Sequence, residues 1–229
     1  LHDALPILKN PAESMDLPVL VRRTASSSPF HTLFRLFLLG QSASEADAAT
    51  ALDPMPLEDL LRGGVLERDA QGVASTIKLV PHNDLFFISD FPAPARKGPV
   101  LEDHVLGVGP ASITLSVLTL RQRAARTFDL GCGAGVQSLL AASHSGRVVG
   151  TDISARALSF AEFNARVNGI RNVEWRQGSF FEPVGGETFD LVVANPPFVI
   201  SPESGALMYR DSGLGGDAVS EQVLKGAAT

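Results

Sequence analysis

Residues 195–198, Asn195-Pro196-Pro197-Phe198, follow an apolar run at residues 189–194 and combine residue types that suit one kind of chemistry. An amide or exocyclic base nitrogen is a poor nucleophile because its lone pair is delocalised. The Asn195 side-chain oxygen and the Pro196 carbonyl can accept both N–H bonds of such a nitrogen and favour its pyramidal form. The prolines restrict the backbone, and the Phe198 ring can stack on a planar group. We therefore expect this turn to hold a planar nitrogen as the nucleophile of a group transfer, without a strong general base.

A second motif is the glycine-rich stretch at residues 129–135, which reads DLGCGAG. Its three glycines allow the backbone to turn sharply and to approach a ligand closely. The spacing is GxGxG with an acid two residues earlier, whereas dinucleotide binders carry GxGxxG, and Asp129 would repel a pyrophosphate. The pattern predicts a loop that binds a ligand without a pyrophosphate, and a plain glycine-rich turn is the alternative. Cys132 has no nearby histidine to activate it and is not expected to take part.

Two further positions follow the next predicted strands. Asp152 ends the second strand, where a carboxylate can accept two hydrogen bonds from a ribose diol. The alternative is that Asp152 caps the helix that begins near Ser154. Residues 177–180, QGSF, follow the third strand, where a backbone N–H could face an adenine nitrogen and Phe180 could pack on the ring. Ser179 stands where such sites usually have an acid, so a plain turn remains the alternative.

A predicted alternation of strands and helices positions these motifs. The predicted strands are residues 127–130, 147–151, 172–176 and 189–194, and the helices between them are residues 135–143 and 154–168. Such alternation indicates a parallel sheet with right-handed crossovers. Ligands of these sheets bind beyond the carboxyl ends of the strands, and all four motifs fall there. A further helix is expected over residues 110–126, in front of the first strand.

Together the four motifs resemble those of class I S-adenosylmethionine-dependent methyltransferases. The Asn-Pro-Pro-Phe form resembles the branch that methylates planar nitrogens, which includes ribosomal RNA guanine-N2 and adenine-N6, DNA adenine and release-factor glutamine methyltransferases. The resemblance covers residues 100–229, includes the loop at residues 209–217, and implies a Rossmann-like α/β fold. The whole arrangement is similar to actinobacterial methyltransferases that carry a further N-terminal domain.

The resemblance also implies which residues bind and which react. It assigns the methyl donor, S-adenosyl-L-methionine, to one set of residues: Asp129, Gly131, Gly133, Gly135, Asp152, Ser179, Phe180 and Asn195. It assigns the target nitrogen, in line with the sulfonium methyl, to a second set: Asn195, Pro196, Pro197 and Phe198. No metal site is expected. The fold usually has seven strands and the sequence offers four, so we expect a C-terminally truncated methyltransferase domain at residues 100–229 with an exposed strand edge.

The N-terminal part of the chain has a different pattern. Short helices are predicted at residues 30–40, 44–52 and 56–61, and a β-hairpin at residues 65–68 and 73–80. This order predicts a small α+β, winged-helix-like domain over residues 8–95, followed by a linker rich in proline and glycine. The third helix carries Arg62 against Glu58 and Asp59, which favours a packing or dimerising role over the reading of a nucleic-acid groove. Residues 1–7, LHDALPI, are expected to be a non-native leader.

Composition excludes several classes of protein. The formal net charge of −6 argues against a protein that holds nucleic acid mainly through counterion release. With 45% hydrophobic and 19% charged residues the chain is typical of globular proteins. One cysteine excludes an internal disulfide framework and a Cys-based zinc cluster, which favours the cytoplasm. No apolar run approaches the roughly 20 residues that span a bilayer, so no membrane association is expected.

The sequence leaves the acceptor of the methyl group open. The first hypothesis is a nucleic-acid base in ribosomal RNA, with Phe198 stacking on the target base and Arg121, Arg123 and Arg126 as a basic cluster. The second is a protein glutamine, which presents the same planar amide. A donor-binding module without catalysis is disfavoured by the complete motif at residues 195–198, and a nicotinamide dehydrogenase by the GxGxG spacing.

Overall fold

The computed structural model describes residues 17–92, 101–196 and 218–227. These residues fall into two units: 17–80 with 89–92, and 81–88 with 101–196 and 218–227. The first is a small α+β unit and the second an α/β unit, so the predicted fold class is confirmed. The predicted domain boundaries remain a prediction, and the structure differs from them at residues 81–88, which group with the second unit. The expected leader at residues 1–7 lies outside the described residues.

The first unit begins with short helices. They are α1 (Leu17–Arg23), α2 (Pro29–Phe37), α3 (Glu45–Leu52) and α4 (Leu57–Arg62). An antiparallel hairpin of β1 (Leu66–Asp69) and β2 (Gly72–Ser75) follows. A second two-stranded sheet follows in the chain and joins β3 (Lys78–His82) to β4 (Leu85–Ser89), of which residues 81–88 belong to the second unit. The strand predicted over residues 73–80 is therefore divided between β2 and β3, and the likeness to a winged helix remains a prediction.

Serine caps and a small apolar core hold the helices of this unit. Ser28 accepts a hydrogen bond from the His31 N–H at the start of α2, and Ser44 accepts one from the Asp47 N–H at the start of α3. Such caps supply the acceptors that the N–H groups of a first helical turn otherwise lack. The buried core side chains between the helices and the hairpin are Leu36, Ala43, Ala48 and Val73. On α4, Arg62 forms an ion pair with Asp59.

The second unit is built on a parallel sheet. Its strands are β5 (Ala124–Leu130), β6 (Ser145–Asp152), β7 (Val173–Gln177) and β8 (Leu191–Ala194), in the order β7-β6-β5-β8. Its helices are α5 (Pro110–Leu118), α6 (Val136–Ala142), α7 (Ala155–Val167) and α8 (Ala218–Ala227). A short 3-10 helix at Glu182–Val184 lies between β7 and β8. None of the described helices has the length and apolar character required to span a bilayer.

The strand order creates a switch point at the carboxyl end of β5. The chain moves outward from β5 to β6 and β7 and then returns to the other side of β5 as β8. Leu130, the last residue of β5, is paired with Thr151 of β6 and with Ala194 of β8. The segments that follow these three strands therefore begin side by side, which is where open α/β sheets bind ligands.

The helix predicted over residues 110–126 is wrong in its second half. It ends at Leu118, and β5 begins at Ala124. Thr119 already has an extended backbone, with φ −65° and ψ 127°, and β5 pairs with β6 from Ala124 onward. Alanine favours a helix, but this preference is worth less than about 1 kcal/mol per residue. Pairing with a neighbouring buried strand outweighs it.

Candidate functional site

A cavity of about 510 Å³ opens at the carboxyl ends of the sheet, within the size range of small-molecule sites. Residues from all four sequence motifs line it: Asp129, Gly131, Gly133, Asp152, Ser179, Phe180, Asn195 and Pro196. Gly135 is not among the lining residues that the structure describes. Pro197 and Phe198 lie outside the described residues. The structure thus brings the sequence motifs together at one cavity.

The loop after β5 is shaped by its glycines. Gly131, Gly133 and Gly135 have φ values of +70°, +53° and +81°, a region that residues with a Cβ rarely adopt. At Gly131 a Cβ would meet no atom within 4 Å, so its α-carbon faces open space. The Cys132 N–H donates to the Thr151 carbonyl over 2.8 Å, which ties the loop to β6. The loop therefore presents bare backbone to the cavity, as the close approach of a ligand requires.

Gly135 contacts the protein core. A Cβ at Gly135 would lie 2.9 Å from Trp175 Cη2 and 3.1 Å from the Ala161 Cβ. Gly150, inside β6, makes room for the same indole, because a Cβ there would lie 2.6 Å from Trp175 Cζ3. The two glycines therefore allow one large side chain of β7 to pack. At Gly135 this packing and the positive φ are the observed reasons for a glycine, and donor binding by this residue remains a prediction.

Asp129, which precedes the last residue of β5, is almost completely buried, with 2% of its surface exposed. Its Oδ2 accepts hydrogen bonds from the Ser138 N–H over 2.8 Å and from the Ser138 hydroxyl over 2.6 Å. Burial raises the pKa of this carboxyl to about 6 and outweighs the Ser138 bonds, which favour the charged form. Asp129 therefore holds the first turn of α6 beneath the glycine loop and places a buried negative charge at the cavity wall at neutral pH.

Replacing Asp129 by asparagine is expected to change how stability depends on pH. The pKa of Asp129 is about 6 in the folded protein, above the ordinary value of 3.8, so between these values the folded state binds more protons than the unfolded state. The free energy of unfolding therefore falls as pH rises from about 4 to about 6, by about 3 kcal/mol in total. Above that range this contribution is constant, and an uncharged asparagine does not show the fall.

Urea unfolding at about pH 4.5 and about pH 7.5 measures this difference. At each pH we compare the free energy of unfolding of the wild type with that of Asp129→Asn. We expect the wild-type value minus the variant value to be lower at about pH 7.5 than at about pH 4.5. Asp84→Asn is the matched control, because Asp84 is exposed and lies in a turn with φ +62°. A wild type and an Asp129→Asn variant with parallel pH profiles would contradict the role given to burial.

Asp152, the last residue of β6, is bonded through both carboxylate oxygens. Oδ2 accepts from the Gly133 N–H of the glycine loop and Oδ1 from the Ser154 N–H, each over 2.9 Å. Burial raises the pKa of Asp152, and these bonds oppose the rise. The alternative role as a helix cap belongs to Ser154, whose hydroxyl accepts from the Ala157 N–H over 3.1 Å. A carboxylate has about four lone-pair positions, so Asp152 can accept further bonds from a diol in the cavity.

The turn after β7 forms the next part of the wall. The Gly178 N–H donates to the Asp152 carbonyl over 3.1 Å, and Phe180 has a φ of +47°. The Phe180 side chain is partly buried against the core beneath the sheet end. The Ser179 N–H faces Glu182 Oε2 at 3.4 Å, so the acid near this turn comes from three residues further along the chain. The contact of this turn with an adenine ring remains a prediction.

A further wall comes from a segment that the sequence analysis does not assign to the site. Residues 103–107 and 109–112 line the cavity. Gln137 of α6 donates from Nε2 to the Ser112 carbonyl over 2.8 Å. Arg156 of α7 donates from Nη1 to the Asp103 carbonyl over 3.2 Å. The segment has no catalytic motif, and the signal that it offers is Pro110 in the first turn of a helix.

The charges of the lining favour a cationic ligand over an anionic one. Among the described lining residues the acids are Asp103, Asp129 and Asp152, and none is Lys or Arg. Arg156, which is not in the lining, forms an ion pair with Asp103 at 4.0 Å, so the negative charge of the wall comes mainly from Asp129 and Asp152. Such a wall would repel a phosphate and attract the sulfonium and ammonium groups of S-adenosyl-L-methionine. The bare backbone at Gly131 and the unused acceptor positions of Asp152 suit the remainder of that molecule. Across the three described ranges, no group of His, Cys, Asp and Glu residues could hold a metal ion.

Two family models match separate parts of the chain. Residues 109–209 match the methyltransferase small domain. Residues 14–76 match a domain of unknown function (DUF7059). The first match begins at residue 109, directly before α5, and extends past Asn195 and Pro196.

Curated relatives match part of the chain. A release factor glutamine methyltransferase of Aliivibrio fischeri is 42% identical over 83 residues, which is 35% of this chain and 29% of that protein. A ribosomal RNA small subunit methyltransferase C of Salmonella arizonae is 39% identical over 95 residues, which is 41% of this chain and 27% of that protein. The chain thus spans less than a third of the length of these relatives.

A solved structure with detectable similarity is the ribosomal protein L11 methylase from Lactobacillus delbrueckii subsp. bulgaricus. It is 30% identical, with a TM-score of 0.34 over 37% of this chain and 44% of that chain. The match to a family comes from the sequence models. Over residues 109–209 this chain is thus similar to the methyltransferase small domain family, as the resemblance of the sequence motifs implies.

Proposed function

We propose that this protein is an S-adenosylmethionine-dependent N-methyltransferase that acts on a planar nitrogen. The observation that carries the proposal is the position of Asn195 and Pro196. They follow β8 directly and line the same cavity as the glycine loop and Asp152. The candidate nucleophile-binding turn and the candidate donor-binding loop therefore share one space, as a direct methyl transfer requires.

The residues of the cavity have complementary roles in this proposal. S-adenosyl-L-methionine supplies an electrophilic methyl group on a sulfonium when it is bound. Asp152 binds the ribose hydroxyls through its unused acceptor positions, and Asp129 stabilises the positive charge from the buried side of the loop. The bare backbone at Gly131 lets the ligand approach closely. The turn at Ser179 and Phe180 bounds the adenine.

The residues after β8 prepare the nucleophile. The Asn195 Oδ1 and the Pro196 carbonyl accept the two N–H bonds of the target nitrogen and favour its pyramidal form, so that its lone pair is available for attack. Proline at position 196 restricts the backbone of the turn, which preorganises these acceptors. The proton becomes acidic as the N–CH₃ bond forms, so a weak acceptor is sufficient to remove it.

The first acceptor in this proposal is an exocyclic amine of a base in ribosomal RNA, and the protein acts in the cytoplasm. The similarity to a ribosomal RNA small subunit methyltransferase C over 95 residues supports this choice. The basic cluster of Arg121, Arg123 and Arg126 is reduced in the structure. Arg126 forms an ion pair with Glu187, and its guanidinium lies 4.7 Å from the centre of the Phe189 ring, so it is engaged within the protein.

The second candidate acceptor is a protein glutamine side chain. Its amide presents the same planar nitrogen to Asn195 and Pro196. The 42% identity to a release factor glutamine methyltransferase supports it, and the net charge of −6 suits a protein substrate better than an RNA. The two acceptors differ in the macromolecule that carries the methyl group, and that difference can be measured.

Methyl-labelled S-adenosylmethionine, added with the protein to an extract of cells that lack its gene, tests the proposal. We expect label in a macromolecular fraction, and loss of that label to ribonuclease if the acceptor is an RNA base. Label that is lost to protease and resists nuclease would assign the protein glutamine as the acceptor. An extract in which no macromolecule gains label above a control without the protein would contradict the proposed function.

A further inference from the structure

Helix α7 presents two asparagines, one turn apart, to the backbone of β4. Asn164 accepts from the Ile88 N–H over 2.8 Å and donates to the Ile88 carbonyl over 2.9 Å. Asn168 accepts from the Phe86 N–H over 2.8 Å and donates to the Phe86 carbonyl over 2.7 Å. In a β-strand, the backbone N–H and C=O groups of residues two apart point to the same edge of the strand. The two side-chain amides therefore bind that edge as a neighbouring strand would.

Phe87, which lies between Phe86 and Ile88, also holds β4 in the second unit. Phe87 is 1% exposed and packs in a buried cluster with Leu139 and Leu140 of α6 and Ala165 of α7. Burial of a phenylalanine side chain contributes about 1.5–3 kcal/mol. Strand β4 is thus held by its backbone on α7 and by its side chain in the core that supports α6.

Asn164 has a third bond, which Asn168 lacks. Its Nδ2 also donates to the Ala134 carbonyl over 2.9 Å, and the Asn164 side chain is completely buried (0% exposed). Ala134 lines the cavity and lies between Gly133 and Gly135, both with positive φ. The second donation of Asn168 goes to the Asn164 carbonyl within α7. One amide therefore joins β4 to the glycine loop, and its neighbour one turn away does not.

From this difference we infer that Asn164 is a positioning residue for the donor, which sets the glycine loop against β4. The inference rests on the proposed function, because it takes the cavity to be the S-adenosylmethionine site. The loop contains three glycines with positive φ, and a glycine has more backbone freedom to lose than any other residue when a ligand orders it. A buried donor on the Ala134 carbonyl removes part of that freedom beforehand. Residues 85–88, which precede the matched domain, thereby contribute to donor affinity.

The substitutions Asn164→Asp and Asn168→Asp in the full chain test the inference by calorimetric titration with S-adenosylmethionine. Both variants keep the side-chain oxygen that accepts from β4, and both replace the donating NH₂ group by a carboxyl oxygen. Only the side chain at position 164 faces the Ala134 carbonyl. We expect Asn164→Asp to weaken donor binding by about tenfold or more at neutral pH, and Asn168→Asp to change it by less than about twofold.

The pH dependence of donor binding, compared at each pH with urea unfolding of the same variant, separates positioning from a general loss of structure. A protonated carboxyl at position 164 has one proton to share between the Ala134 and Ile88 carbonyls that the Asn164 amide binds, whereas a carboxylate repels both. Donor binding by Asn164→Asp is therefore expected to recover as pH falls, relative to wild type. Equal losses in the two variants, or wild-type binding by Asn164→Asp, would overturn the inference. A wild type that binds no S-adenosylmethionine would instead overturn the proposed function on which the inference rests.

Hydrogen exchange in the wild type provides a test that does not depend on whether a variant folds. The Ile88 N–H is bonded to Asn164 and the Phe86 N–H to Asn168. If donor binding stabilises the loop through Asn164, saturating S-adenosylmethionine is expected to slow exchange at Ile88 by about fivefold or more relative to Phe86. Exchange rates that stay the same at Ile88, or that change equally at both residues, would overturn the inference.

Discussion

Asn195→Ala is expected to slow methyl transfer by about a hundred- to a thousandfold, a larger effect than on the affinity for S-adenosylmethionine, to which Asn195 is one of eight assigned contributors. An alanine accepts no N–H bond from the target nitrogen, so the nitrogen lone pair stays delocalised and the barrier rises. The proposed donor contacts at Asp152 and at the glycine loop are untouched, because they belong to other strand ends. Label incorporation at saturating donor gives the rate, and calorimetric titration gives the affinity.

Two other substitutions of asparagines in this protein serve as controls for this prediction. Asn195→Asp keeps an acceptor oxygen in place and is expected to retain more activity than Asn195→Ala. Asn172 lies at the other end of the sheet, before β7, where its Nδ2 donates to the Ala142 and Ser145 carbonyls. Asn172→Ala is expected to lower stability and to leave the rate per folded molecule unchanged. An Asn195→Ala enzyme within about tenfold of the wild-type rate would contradict the role given to Asn195.

The predictable part of the site comes from residues that follow strands directly. Glycine spacing and the alternation of strands and helices are local patterns, and they predict that Gly131, Asp152 and Asn195 meet at the carboxyl end of the sheet. The strand order confirms the shared edge, because Leu130 is paired with both Thr151 and Ala194. A local pattern suffices here because the carboxyl ends of parallel strands all lie at the same edge of the sheet, so residues that follow the strands come together there.

The remainder of the site depends on contacts between distant residues, which local patterns do not contain. The bonds of Asn164 and Asn168 to β4 join residues 76 and 82 positions apart. The wall at residues 103–112 is held by Gln137 and Arg156, which belong to later helices. In sequence, Asn168 indicates a helix end and Asn164 a polar helix surface. Their role becomes visible only once β4 lies against α7.

Gly135→Ala is expected to destabilise the fold more than the replacement of either other glycine of the same loop by alanine. Its φ of +81° makes an alanine cost about 1–2 kcal/mol. The new Cβ would also lie 2.9 Å from Trp175 Cη2 and 3.1 Å from the Ala161 Cβ, and such crowding in a packed core costs about 1–3 kcal/mol. We expect the free energy of unfolding, measured with urea, to fall by about 2–5 kcal/mol.

Gly131→Ala is the matched control, because it makes the same substitution at a nearly equal φ of +70°. Its Cβ would meet no atom within 4 Å, so the stability loss is expected to stay at about 1–2 kcal/mol. The added methyl group occupies space beside the cavity instead, and we expect it to weaken S-adenosylmethionine binding by about tenfold. Equal stability losses at the two positions would contradict the distinction between a ligand-facing and a core-facing glycine. Because backbone strain is common to both variants, any difference between them reports only on what surrounds each α-carbon.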